Sequence, residues 1–160
     1  MVLAGGADNR HPNRHTMGML LNQTAVYGLR ATATLAALEP GESLNAEQLS
    51  ERTGVSKQYL SKVMRKLVVA KLVRGQRGHG GGFSLMKAPR QIRLLDVLTA
   101  LNLEVDSGCV FGYTACDPAN PCPLHPLWSR LNDSLAAWSQ GSTFADLGPV
   151  PKAPRQRKRS

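Results

Sequence analysis

Between Asn45 and Leu67 two helix starts stand on either side of one glycine, and this arrangement constrains the fold most. Asn45 offers a side-chain oxygen to the free N–H groups of a helix start. Gln48, three residues on, can return the bond to the Asn45 backbone. Thr53-Gly54 ends that helix, because glycine enters the left-handed conformation without a Cβ clash. Two residues later Ser56 caps another helix. Leu60, Val63, Met64 and Leu67 then fall at i, i+3, i+4 and i+7, a single apolar stripe. A short helix, a tight glycine turn and a capped second helix predict a helix-turn-helix.

The other face of the second helix carries Lys57, Gln58, Ser61, Lys62 and Arg65 behind Ser56. Such a helix can place its first turns in a major groove, where Gln and Lys bond base edges and other cations meet phosphate. An ordinary amphipathic surface helix would have the same look, so the next segment matters. Leu72-Val73-Arg74 and Phe83-Ser84-Leu85 are strand-like runs flanking a basic stretch rich in glycine, from Gly75 to Gly82. They predict a hairpin whose tip approaches a phosphate backbone, with Arg74, Arg77, Gly80 and Gly81 in reach of phosphate or the minor groove. A nucleotide-binding phosphate loop does not fit, since no Gly-Lys-Ser/Thr ends the run. Directly after a helix-turn-helix, the hairpin reads as a wing.

Charge supports the same partner. The formal net charge is +9, but it is unevenly laid out. Residues 57–93 hold ten Lys/Arg and no acid, residues 94–151 hold one Arg against six acids, and the last nine residues add five cations. A solvated face usually mixes signs, so the basic block points to a polyanion, double-stranded DNA above all.

Around this core the chain divides into a polar leader at 1–18, the winged domain at 19–102, a cysteine loop at 103–125, a long helix at 126–147 and a basic tail at 148–160. A first helix is expected over Asn22–Leu38 and a fourth over about Ile92–Leu101. The fold class is therefore mainly α with a small β-hairpin wing, extended by a C-terminal dimerisation helix. No stretch is apolar over the length of a membrane span, and the leader lacks the apolar centre of a signal peptide, so a cytoplasmic location is expected. No catalytic constellation is present, and the expectation is a protein that is not an enzyme.

The three cysteines, Cys109, Cys116 and Cys122, crowd into 14 residues, with two residues between the last and His125. An odd number argues against a disulfide framework. Zinc sites usually bring ligands as tight pairs, which the cysteines lack here. Thiolates spread over a Gly/Pro-rich loop suit an iron–sulfur cluster, with His125 as a candidate fourth ligand or as a cap for the helix that follows. That helix places Trp128, Leu131, Leu135 and Trp138 at intervals of 3, 4 and 3, a seam for a partner helix or for its own domain. A two-fold dimer would read a palindromic operator.

These residues together resemble the Rrf-type winged-helix regulators, the family of IscR-like and NsrR-like iron–sulfur proteins. The match runs from about Met19 to Leu147 and is carried by several runs. Leu49-Ser50-Glu51-Arg52 precedes the turn, and Ser56 with Tyr59-Leu60 opens the recognition helix. Val73-Arg74-Gly75, Gly78 and Gly80-Gly81-Gly82-Phe83 form the wing, and Cys122-x-x-His125-x-x-Trp128 lies beyond it. The resemblance implies a homodimeric DNA-binding repressor whose operator affinity follows a cluster sensing redox state, nitric oxide or iron. In the IscR-like pattern a histidine separated from the third cysteine by two residues completes a 2Fe–2S site, as His125 would. In the NsrR-like pattern an aspartate early in the first helix completes a 4Fe–4S site, and Val26 stands at that position here. Where IscR has a glutamate after the Tyr-Leu pair, this chain has Ser61, which implies a different target set. The alternatives are a regulator of the same fold that senses through zinc or free thiols and, more remotely, an iron–sulfur electron carrier.

Overall fold

The computed structural model describes residues 21–78, 81–103 and 119–150. Helices α1 (Gln23–Ala36), α2 (Ala46–Thr53) and α3 (Lys57–Val69) are followed by strands β1 (Val73–Gly75) and β2 (Phe83–Leu85). A 3-10 turn (Pro89–Gln91), α4 (Leu94–Ala100) and α5 (His125–Gly141) complete the order.

The local chemistry predicted for the helix-turn-helix is all present. Asn45 and Gln48 form a reciprocal capping box, with both bonds at 2.9 Å. Gly54 takes φ +69° and donates its N–H to the Ser50 carbonyl. Ser56 caps α3 by accepting from the Tyr59 N–H. Leu60, Val63, Met64 and Leu67 are buried, as their spacing requires. With Leu49, Ile92 and Val97 they form the main core, and full burial of each such side chain contributes about 1.5–3 kcal/mol.

Two helix ends use a left-handed residue that is not glycine. Lys71 (φ +57°) and Asn102 (φ +61°) follow α3 and α4. At each end two backbone N–H groups turn back onto the last turn: Leu72 to Leu67 and Lys71 to Val68, then Leu103 to Leu98 and Asn102 to Thr99. This is the double-bonded helix stop that glycine usually provides.

The hairpin pairs antiparallel, Val73 with Leu85, Arg74 with Ser84 and Gly75 with Phe83. Its first strand starts one residue later than the pattern of apolar residues predicts. A third strand residue joins it from outside. Leu44, just before α2, exchanges two backbone hydrogen bonds with Phe83, at 3.0 and 2.8 Å. This bridge ties the wing to the capped start of α2.

Three boundaries differ by two residues or more from those expected. Helix α1 stops at Ala36, two residues before Leu38. The fourth helix starts at Leu94 rather than Ile92, because Ile92 and Arg93 are extended and Arg93 bridges Thr143. Helix α5 ends at Gly141, six residues short of 147, and the chain then folds back. The Leu94 N–H donates to the Ser142 carbonyl and the Phe144 N–H to the Ile92 carbonyl, both at 3.1 Å. Phe144 enters the main core, and Val150 packs against it. Val150, read from sequence as part of the tail, therefore packs on the winged domain. Tight packing also appears between α1 and α4: a Cβ on Gly28 would sit 2.1 Å from the Leu101 side chain.

Candidate nucleic-acid interface

The buried stripe of α3 fixes which side faces out. Ser56, Lys57, Gln58, Ser61, Lys62 and Arg65 are all exposed. The first turn of α3 contains no acid of its own, which suits an approaching phosphate at the positive end of the helix dipole. Three of these residues have partners within the chain, Ser56 through its cap on the Tyr59 N–H. Lys57 pairs with Glu47 of α2 across the turn, and Ser61 donates to the Lys57 carbonyl at 2.9 Å. The basic block is thus not wholly without counter-charge, because an acid from outside it is brought to its edge. Both members of the pair are more than half exposed (54% and 56%), where an ion pair is worth little and exchanges readily for phosphate.

On the wing, Arg74 and Arg77 are exposed. Gly80 lies outside the described residues. Gly81 is needed sterically, since a Cβ there would lie 2.4 Å from the Gln76 carbonyl oxygen. Gly82 is needed for the bridge, since its Cβ would lie 2.7 Å from the Leu44 carbonyl. Between the wing and the α2 start is a shallow concavity of about 310 Å³, lined by Asn45, Gln76, Arg77 and Phe83 among others. Recognition helix and basic hairpin thus present their cations as parts of one packed body.

What holds α3 in place includes residues that sequence patterns did not assign a role. The Tyr59 hydroxyl and Thr24 Oγ1 are 2.6 Å apart. The Tyr59 ring meets Tyr27 edge to face, with centroids 5.2 Å apart. Arg30 lies over the Tyr27 ring and donates to the Thr53 carbonyl at 3.1 Å. One small cluster thereby connects α1, the end of α2 and the first turns of α3. Tyr59 entered the sequence reading only through the family motif. The available signal was Arg30, a lone cation in the Ala-rich first helix.

The cysteine segment is described in part. Cys109 and Cys116 lie outside the described residues. Cys122 is a half-buried free thiol. The His125 N–H donates to the Cys122 carbonyl at 2.9 Å, so the two residues share one turn at the start of α5. His125 is the first residue of α5, and no side chain caps that start; the capping role open to it from sequence is not the one it takes. Val26 packs against Leu21, Ala25 and Leu98, so no carboxylate occupies the position it holds in α1. Along α5, Leu131 and Trp138 are exposed (both 39%), while Trp128 and Leu135 are half-buried. Among the described residues, no helix is long and apolar enough to cross a membrane.

The comparisons agree with this architecture. The chain matches the family model for Rrf2, described as an iron-dependent transcriptional regulator, over residues 21–149. It is 30% identical over 129 residues to the HTH-type transcriptional regulator IscR of Cronobacter sakazakii, covering 81% of this chain and 80% of that protein. Among solved structures, T. potens IscR superposes with a TM-score of 0.63 at 25% identity, covering 81% of this chain and 86% of that one. CymR, the global cysteine regulator of B. subtilis, superposes with a TM-score of 0.68 at 24% identity, covering 79% and 93%; that likeness is one of fold. With its helix-turn-helix, its wing and this match over most of its length, the chain belongs to the Rrf2 family of winged-helix, DNA-binding transcriptional regulators.

Proposed function

We propose that this regulator acts as a homodimeric repressor on a palindromic operator, its affinity set by an iron–sulfur cluster held by Cys109, Cys116, Cys122 and His125. The observation that carries the reading is the shared turn of Cys122 and His125 at the root of α5, with two more cysteines within the preceding 13 residues. These donors fit the group: three thiolates and an imidazole that is not used as a helix cap. When bound, such a cluster supplies a centre that responds to electrons, nitric oxide or iron supply. The apolar setting of Val26 favours the 2Fe–2S form, since α1 offers no carboxylate there.

The chain's own residues then carry the signal. Helix α5 has 17 residues and so spans about 25 Å. It starts at His125, and the segment after its other end is bonded to the start of α4 through Ser142 and Phe144. A shift of the Cys122–His125 turn therefore moves a rigid rod anchored on the winged domain. In a dimer joined through Trp128, Leu131, Leu135 and Trp138, that motion changes the distance between the two α3 helices. A bias of ~3 kcal/mol between the two arrangements alters operator affinity by over 100-fold. The same reading leaves the protein without catalytic activity and places it in the cytoplasm.

A second reading, sensing through free thiols or zinc, is favoured by the likeness to the oxidised form of Staphylococcus aureus CymR (TM-score 0.61, 24% identity). Anaerobic purification separates the two. The cluster reading expects a coloured protein with iron and sulfide in equal amounts, lost in Cys122→Ser. A colourless protein, metal-free or loaded with zinc, would sink it.

A further inference from the structure

An acid stands beside the start of the recognition helix. Glu47 is the second residue of α2, outside the stretch 57–93 that holds ten Lys/Arg and no acid. Its carboxylate nevertheless meets the ammonium of Lys57, the first residue of α3. The fold fixes this meeting. Leu44 is bridged to Phe83 of the wing, and Asn45 is locked in its capping box with Gln48. Asn45 and Ala46 line the same concavity as Arg77. The first turn of α2, Glu47 included, is thereby held between the wing and the start of α3. The dipole of α2 would accept an acid anywhere in that turn; here the acid lies on the side of a cation that faces DNA. Both members of the pair are more than half exposed, so DNA reaches them.

We infer that Glu47 is a specificity-determining residue, which directs Lys57 toward base edges and against phosphates. An ammonium has three N–H donors. With one given to Glu47, two remain, and guanine O6 and N7 offer two neutral acceptors in the major groove. A base edge takes those donors without repelling the carboxylate. A phosphate does repel it. The pair opens readily, so the filter lies not in its strength but in what is left behind. A phosphate that takes Lys57 from Glu47 sits beside a bare carboxylate, and two like unit charges ~4 Å apart in water lower an equilibrium constant about five-fold. Binding without sequence preference is nearly all phosphate contact. Glu47 therefore weakens binding to random DNA more than binding to a fitting site, and the ratio of the two is what a regulator works with.

This inference rests on α3 being the DNA face, and one experiment tells the two failures apart. The full-length parent, Glu47→Gln, Lys57→Gln, their double variant, Glu51→Gln and Arg65→Gln are titrated by fluorescence anisotropy onto a duplex of random sequence. Salt is varied from about 50 to 200 mM. Glu51 is exposed one turn further along α2, so its variant makes the same charge change away from Lys57. Glu47→Gln is expected to bind about five-fold tighter per protomer at the low-salt end. Its slope of log K against log salt steepens by about 0.9, so it loses about 3.5-fold more affinity than the parent over the range. The gain is absent in the double variant relative to Lys57→Gln, and it is smaller in Glu51→Gln. Sequences selected from a randomised duplex pool show a weaker base preference for Glu47→Gln than for the parent. Misfolding does not produce a gain in affinity, so folding defects cannot imitate this result. An unchanged slope, a gain shared equally by Glu51→Gln, or an equally sharp selected sequence overturns the inference. If Arg65→Gln leaves affinity unchanged, α3 is not the DNA face, and that reading falls with the inference built on it.

Discussion

Gly82→Ala tests whether the wing is a rigid part of the DNA face. A Cβ at this position would lie 2.7 Å from both the carbonyl carbon and oxygen of Leu44, and 3.0 Å from the Asn45 nitrogen. All three are backbone atoms at the capped start of α2, so none can rotate away. Ordinary contact requires roughly 0.7 Å more room. Opening that gap stretches both bonds of the Leu44–Phe83 bridge, now 3.0 and 2.8 Å, beyond useful hydrogen-bond length. Two such bonds are worth about 1–3 kcal/mol net. The lost backbone freedom of the unfolded chain returns about 0.4–1 kcal/mol, which leaves a destabilisation of up to about 2.5 kcal/mol, centred near 1 kcal/mol. Urea unfolding measures the sum, and amide exchange at Leu44 and Phe83 reports the bridge directly. Gly78→Ala is the control: it sits in open space at φ +101°, so it carries a conformational cost but leaves the bridge closed. If Gly82→Ala is as stable as the parent and both amides stay protected, the reasoning from close backbone approach is wrong.

Two further outcomes are expected from the geometry. Tyr59→Phe removes a hydroxyl 2.6 Å from Thr24 but keeps the ring contact with Tyr27, so it should cost about 1 kcal/mol in urea unfolding; Tyr59→Ala, which also removes the edge-to-face pair, should lose more. Asp146 accepts from the Thr143 N–H (2.7 Å) and hydroxyl (2.8 Å), and these bonds, the backbone one foremost, hold its carboxyl below the usual carboxylate value. A folded value below the unfolded one means the contribution is present above about pH 4 and is lost as pH falls through the folded value. Asp146→Asn should therefore lower the urea midpoint at pH 7 by an amount that shrinks as pH falls below about 4; a deficit that persists unchanged in acid would show that the carboxylate's charge is not what holds this turn.

Much of the recognition unit was legible in one dimension because its determinants are local. A cap and its partner three residues away, a glycine that must turn left-handed and an apolar stripe of helical period all act within one or two turns. Asn45, Gln48, Gly54, Ser56 and the stripe from Leu60 to Leu67 are accordingly where the spacing put them. The charge block told which partner such a unit would meet. The rest was decided by contacts between segments distant in sequence. Glu47 reaches Lys57 only because the turn folds α2 against α3. The Thr24–Tyr59 bond spans 35 residues, and the Leu44–Phe83 bridge joins two segments 39 positions apart. Phe144 extends the same lesson: from sequence it continues a helix, yet burial beside Ile92 removes more apolar surface from water than another helical turn in solvent would. Local propensity names the elements, and the non-local burial of apolar surface and backbone polar groups decides how they end and where they are anchored.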